Sequence, residues 1–370
     1  MSVTGVQHLV ERAYRESGEL QYLRELVVNA MEAGATHIEI GPEWSAVERE
    51  GVYRLMVADD GKGMGREELL KFLNTFGGGG KPIGDAHENF GVGAKTSLLP
   101  WNHHGVVVIS WTPEHPDGAM VVLRRDAATG EYGAHKFETA EGEVDEVVVP
   151  GEEWAATRPE WIREHGTVVV CLGNTGREDT FVGKAGDGDI KGISAYLNKR
   201  LWTIPEGVEI YVQELRTEKR TEWARSFAEA SGSGERRWNR RQIRGAAHFV
   251  ASVQSDKGKL DAHHTMVLED GTELDWYLWK GERPNVHSYA HKNGFIAALY
   301  KNELYDTYSH AARYRSFGIT CVFRAMWTLI SPSCGHAFRR HVDTERVVLD
   351  RSEATSVFAA FFSGLSGSPS

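Results

Sequence analysis

Glu25-Leu26-Val27-Val28-Asn29-Ala30, then Asp59-Asp60-Gly61-Lys62-Gly63-Met64, then Gly91-Val92-Gly93-Ala94-Lys95-Thr96-Ser97 follow one another within the first hundred residues, and their order decides the fold. The first string lies on a helix over residues 22–33. Leu20, Leu23, Val27 and Ala30 share one apolar stripe, Glu25, Asn29 and Glu32 share another face, and Gly34 ends the run. The second string closes a buried strand, 54–58, that stops at two aspartates. The third is reached through Phe76-Gly77-Gly78-Gly79-Gly80-Lys81, too rich in glycine for regular structure. It opens a helix over 93–99 that closes before Pro100.

Working outward, strands are expected at 37–40, 105–111, 120–124, 144–149 and 167–172, with a short helix at 66–72. After Leu172 the texture becomes polar and glycine-rich. A helix at 190–201 and strands at 208–212, 246–253, 265–268, 276–279, 295–300 and 320–323 follow. A charged surface excursion covers 217–244, and a last helix spans 352–362. The fold class is therefore α+β, with helices on one face of a mixed sheet in each half. The expected domains are residues 1–178 and 179–362, with a disordered tail at 363–370.

The chain has 370 residues, enough for two cores, and 41% hydrophobic with 25% charged residues is ordinary for a globular protein. Its formal charge of −10 removes any global field toward nucleic acid or anionic lipid, leaving only a local basic run at 235–244. The polar start resembles no signal peptide, and no apolar run is long enough to span a membrane. Cys171, Cys321 and Cys334 have no zinc spacing and suit a reducing compartment, so the expectation is a cytoplasmic protein.

Glu25 and Asn29, at i and i+4, project from one side of one helix. An amide oxygen there can ligate Mg²⁺, and a carboxylate beside it can accept a proton from a water aimed at a γ-phosphate. An ordinary solvent-facing pair has the same spacing. Asp59, at a strand end, can accept from an exocyclic amine such as adenine N6, while Gly61 and Gly63 let the backbone pass close to a flat ring. A simple Asp-Gly turn is the alternative. Gly77, Gly78, Gly79, Gly80 and Lys81 form either a linker or a segment that orders over a triphosphate. Gly91 and Gly93 present backbone N–H groups at a helix start, an anion-binding geometry to which Lys95 and Thr96 add a charge and a hydroxyl. A Walker loop needs glycine at 89 and 94, where Asn89 and Ala94 stand. His103-His104 and His263-His264 are adjacent pairs whose side chains diverge, without metal-site spacing.

These three strings resemble the N, G1 and G2 boxes of the GHKL ATPases, the family of gyrase B, heat-shock ATPase chaperones, histidine kinases and MutL. The resemblance implies a Bergerat-type α/β sandwich that uses ATP and Mg²⁺. Glu25 would be the general base, Asn29 the Mg²⁺ ligand and Asp59 the adenine anchor. Gly61, Gly63 and Met64 would line the adenine pocket, residues 76–90 would form an ATP lid, and Gly91, Val92, Gly93, Ala94, Lys95 and Thr96 would serve the phosphates. The strings Asn-Ala-Met-Glu-Ala-Gly-Ala-Thr36 and Asp-Asp-Gly-Lys-Gly-Met64 are most similar to the MutL and MORC branches, and Phe76-Gly77 with Gly-Val-Gly-Ala-Lys-Thr-Ser97 favours MORC over MutL. Residues 294–304 resemble a strand and turn of the transducer domain, a ribosomal-protein-like α/β fold. Such a domain sends a basic residue to the γ-phosphate, with Lys301, Arg339 and Arg340 as candidates here. The function implied is a dimerising ATPase clamp in DNA-related or defence processes, with DNA a conceivable partner and no membrane. A heat-shock-type chaperone and an ATP-gated interaction module with little turnover are the alternatives. A histidine kinase is disfavoured, because only His8 precedes the first box.

Overall fold

The computed structural model describes residues 20–74, 97–138, 142–181, 192–214, 225–231, 239–251, 254–255, 258–267, 273–281, 295–308, 313–314 and 317–324. They belong to one compact unit, apart from Val267 and Glu273.

The first helix, α1 (Gln21–Glu32), forms where the apolar stripe predicts it. Tyr22, Leu23 and Val27 are fully buried, and Ala30 nearly so. Gly34, at φ +79°, closes it, with Ala35 N–H bonded back to Ala30 O at 3.0 Å. The first sheet takes β1 (His37–Pro42), β2 (Leu55–Asp59), β3 (Val106–Thr112), β4 (His115–Arg125), β5 (Tyr132–Ala134), β8 (Gly166–Cys171), β9 (Glu209–Glu214) and β10 (Asn239–Gln242) in the spatial order β10-β9-β1-β2-β8-β3-β4-β5. The minor strands β6 (Phe137–Glu138) and β7 (Val144–Asp145) pair with each other. Every neighbouring pair whose register is defined in the first sheet is antiparallel except β1 with β9, which is parallel.

The central strands are apolar on both faces, so both faces must be covered. Leu55, Val57, Val106, Val108 and Val169 point toward α1 and α5 (Gly192–Arg200). The alternate residues Met56, Ala58, Val107, Ile109, Val168 and Val170 face a second core closed by Ile162, Trp154 and Trp161 around α4 (Glu152–Ala155). The expectation of helices on one face alone is thereby extended. Two other short helices, α2 (Trp44–Glu50) and α3 (Arg66–Asn74), connect strands; α2 has no counterpart in the sequence reading.

Beyond residue 178 the chain keeps adding to this first sheet through α5, β9 and β10. The expected surface excursion at 217–244 holds α6 (Phe227–Ser231) and the edge strand β10. The strand expected at 246–253 is instead a helix, α7 (Ala246–Ala251): a six-residue run of apolar residues around one histidine fits either period. The strand expected at 144–149 shortens to β7 plus a single bridge from Val148 to Met120. A second sheet follows, of β11 (Gln254–Ser255), β12 (Gly258–Val267), β13 (Glu273–Gly281), β14 (Ile296–Tyr300), β15 (Glu303–Tyr308), β16 (Arg313–Tyr314) and β17 (Phe317–Arg324). Its order is β11-β12-β13-β17-β14-β15, with β16 against β17. Trp202, Ala246 and Val250 pack with Tyr277, Phe295, Ala297, Leu299 and Leu304 in its core. The helix and tail expected at 352–370 lie outside the described residues.

Candidate functional site

Between α1 and the sheet lies a cleft, partly open to solvent, with about 70 Å³ of enclosed space. Leu26, Asn29, Ala30 and Ala33 line it from α1, Val57 and Asp59 from β2, and Thr167 and Val169 from β8. Lys62, Gly63 and Met64 close one end, while Leu98, Leu99, Val106, Val108 and Leu123 supply apolar wall.

Asp59 is the last residue of β2 and sits opposite Thr167 of β8, so the two side chains share a face. Its Oδ1 accepts from Gly61 N–H at 2.9 Å. Its second oxygen has no hydrogen-bond partner among the described residues. Burial pushes the Asp59 carboxyl up to about 7, with the nearby Asp60 charge adding to the shift and the Gly61 N–H and His165 opposing it. A buried carboxylate with a spare acceptor, facing an apolar cleft, is matched by a ligand that brings a donor.

Asp60, one residue on, has the opposite surroundings. Thr36 N–H and His37 N–H donate to its Oδ1, and the Thr36 hydroxyl to its Oδ2, each at 2.7 Å. Burial alone would raise its carboxyl, but these bonds hold it below the usual range. It fastens the start of β1.

The glycine loop follows. Gly63 has φ +71°, and a Cβ there would lie 2.0 Å from Trp111 O, so only glycine fits. That close approach brings Met64 N–H to Ser110 Oγ at 2.7 Å, and Ser110 donates in turn to Gly166 O at 2.9 Å. The loop is thereby tied to β3 and β8 at the rim of the cleft.

Asn29, half-buried on α1, has no side-chain hydrogen bond within the described residues. One turn earlier, Glu25 accepts at Oε1 from Arg24 Nη1 (2.6 Å) and Gln21 Nε2 (3.1 Å), and its Oε2 takes no bond from the described residues. Glu25 does not line the cleft itself. A lone amide oxygen suits Mg²⁺, which takes one or two protein oxygens and fills its shell with water and phosphate. No cluster of three or more His, Cys, Asp or Glu able to hold a metal occurs among the described residues.

A sequence model of the family described as histidine kinase-, DNA gyrase B-, and HSP90-like ATPase matches residues 21–145, the segment that builds α1, β2, the glycine loop and most of the cleft. Residues 21–145 belong to the GHKL ATPase family. No curated protein matches the chain in sequence. Among solved structures it is similar to the 43K ATPase domain of Thermus thermophilus gyrase B in complex with an aminocoumarin, at 16% identity and a TM-score of 0.37. That alignment covers 80% of this chain and 65% of the other, so the chain spans about two thirds of that relative's length. It is also similar to the N-terminal domain of a DNA repair protein, at 13% identity and a TM-score of 0.34, covering 75% of this chain and 72% of that one.

Of the residues the sequence assigned to the GHKL site, the structure brings Asn29, Asp59, Gly63 and Met64 together in the cleft, with Gly61 bonded to Asp59. Gly77, Gly78, Gly79, Gly80, Lys81, Gly91, Val92, Gly93, Ala94, Lys95, Thr96, Arg339 and Arg340 lie outside the described residues. Lys301 is exposed on the turn between β14 and β15 and does not line the cleft. The sequence assigns no role to Thr167, Lys62 or Ser110, which the structure places at the cleft or its rim. Thr167 had a signal, since Gly166-Thr167 opens an expected strand, but its pairing with Asp59 needs the sheet register. No helix among the described residues is long and apolar enough to cross a membrane.

Proposed function

We propose that this GHKL chain binds ATP with Mg²⁺ in the cleft under α1 and hydrolyses it, and that nucleotide binding pairs two copies into a MORC- or MutL-like clamp. The observation that most supports this reading is Asp59, a buried carboxyl with one oxygen that has no partner among the described residues, at the mouth of a glycine loop that admits no side chain. The adenine amine donates to that oxygen, and the ring lies along Gly61 and Gly63. Asn29 would hold Mg²⁺, which when bound neutralises phosphate charge. The Oε2 of Glu25 takes the proton of the attacking water, leaving ADP, inorganic phosphate and a protonated Glu25.

Residues 76–90 act as the lid, Gly91, Gly93, Lys95 and Thr96 hold phosphates, and Lys301, Arg339 or Arg340 reaches the γ-phosphate from the transducer-like part of the chain, 179–362. A role in DNA handling or defence follows from the motif resemblance to those two branches. With a formal charge of −10, any contact with DNA must be local and strongly salt-dependent. The test is turnover. The full chain hydrolyses ATP when Mg²⁺ is added, and Glu25→Ala stops turnover while keeping nucleotide affinity. Wild-type turnover in Glu25→Ala removes Glu25 from the base role.

A further inference from the structure

Arg24, the residue before Glu25 on α1, meets the β14–β15 hairpin of the second sheet, 279 residues along the chain. Glu303, the first residue of β15, is 2% exposed, and two arginines converge on it. Arg24 donates through Nε to Oε2 at 2.6 Å and through Nη2 to Oε1. Arg200 of α5 donates through Nε to Oε2 at 3.1 Å. The Tyr305 hydroxyl also donates to Oε2, at 3.4 Å. The hairpin is itself anchored. Lys301 and Asn302 form its two-residue turn at φ 44° and 66°, and the Asn302 side chain accepts from Thr203 N–H and Oγ and donates to Thr203 O.

Arg24 has a third arm. Its Nη1 donates to Oε1 of Glu25 at 2.6 Å, the same oxygen that Gln21 holds, and Gln21 is steadied in turn by the Tyr196 hydroxyl at 3.4 Å. The fork is thus divided, two donors toward Glu303 and one toward Glu25. That division leaves Oε2 of Glu25 without a bond from the described residues. A guanidinium freed from Glu303 could grip both oxygens of Glu25, as arginine–carboxylate pairs commonly do. A buried carboxylate between two cations is a costly arrangement for stability alone.

We propose that Glu303 is a positioning residue for Glu25, acting through Arg24. It keeps Arg24 from closing on both oxygens of Glu25, so that one stays available to accept a proton. A shift of the β14–β15 hairpin therefore reaches Glu25. This role rests on Glu25 being the general base.

The experiment is a double-mutant cycle on the full chain, reading kcat, KM, the pH profile of kcat and AMPPNP affinity by calorimetry, with thermal melts to certify folding. Glu303→Gln lowers kcat about tenfold and moves the acid limb to lower pH, because Arg24 then stabilises ionised Glu25 more strongly; AMPPNP affinity is unchanged. Arg24→Gln moves the acid limb the other way. In the Arg24→Gln background, adding Glu303→Gln shifts the limb no further. If Glu303→Gln alone does not fold, the upward shift in Arg24→Gln and the null effect within the pair carry the test. A folded Glu303→Gln with a wild-type kcat and pH profile overturns the positioning role, as does an additive double variant. Turnover that survives Glu25→Gln, or no turnover by the wild-type chain, overturns the general-base reading and this role with it.

Discussion

Asp59 and Asp60 are neighbours at the end of β2, yet their carboxyls are shifted in opposite directions, and the cause is what each one faces. Asp60 accepts three hydrogen bonds from Thr36 and His37, whereas Asp59 accepts one and faces the cleft. The sequence points to Asp59 from its place at the strand end; what it does not show is the pairing of β2 with β8 that sets Asp59 opposite Thr167, or the fastening of Asp60 to the start of β1. Because folding raises Asp59 from its ordinary 3.8 to about 7, its native form holds the proton more tightly than the unfolded chain. Its stabilising contribution is complete below pH 3.8 and is lost as pH rises through about 7. We expect Asp59→Asn to raise the stability of the ligand-free protein at pH 8, by on the order of 4 kcal/mol at most, and to flatten its decline between pH 4 and pH 7. Chemical denaturation across that range checks this. A variant less stable than wild type at pH 8 contradicts the burial argument.

At the scale of elements, α1, β2, β3 and β8 were legible because their apolar periods are long and end in clear stop signals. Besides α2, three features were not. The run at 246–251 is too short for its period to separate helix from strand. The joining of β9 and β10 to the first sheet is a long-range pairing that no local pattern encodes. The same holds for the hairpin that places Glu303 against α1. The β1–β9–β10 edge has its own staple. Glu39 accepts from Gln213 Nε2 at 2.6 Å and from Arg240 Nη2 at 2.9 Å, with His37 Nε2 at 3.3 Å, while the Arg240 guanidinium lies 3.6 Å over the Tyr211 ring. Burial opposes ionisation of Glu39, but these partners outweigh it and bring its carboxyl down from 4.5 to about 2. Here the sign reverses: the stabilisation is complete above pH 4.5 and is lost as pH falls toward 2. Glu39→Gln is expected to remove up to ~3 kcal/mol at pH 7 and to make the protein less sensitive to acid between pH 4.5 and 2. Identical acid-unfolding curves for the two proteins refute the staple.

For the whole molecule, the proposed clamp would be a population shift, with ATP favouring the paired state. Light scattering with AMPPNP and Mg²⁺ should show the mass doubling, and ADP should leave it unchanged. A constant mass with saturating AMPPNP rules out the clamp while leaving the nucleotide site intact. Saturating ligand should also raise thermal stability, by roughly 2.7 kcal/mol at a hundredfold excess over Kd.

The cleft lined by Asn29, Asp59, Gly63 and Met64 is proposed to hold an adenine nucleotide, and the decisive measurement is titration calorimetry of the folded full chain with AMPPNP and Mg²⁺. Saturable heat at one nucleotide per chain is expected, with affinity at least tenfold weaker in Asp59→Asn, since a lost charged hydrogen bond costs about 1.5–3 kcal/mol. No heat from well-folded protein, or equal affinity in the variant, contradicts it.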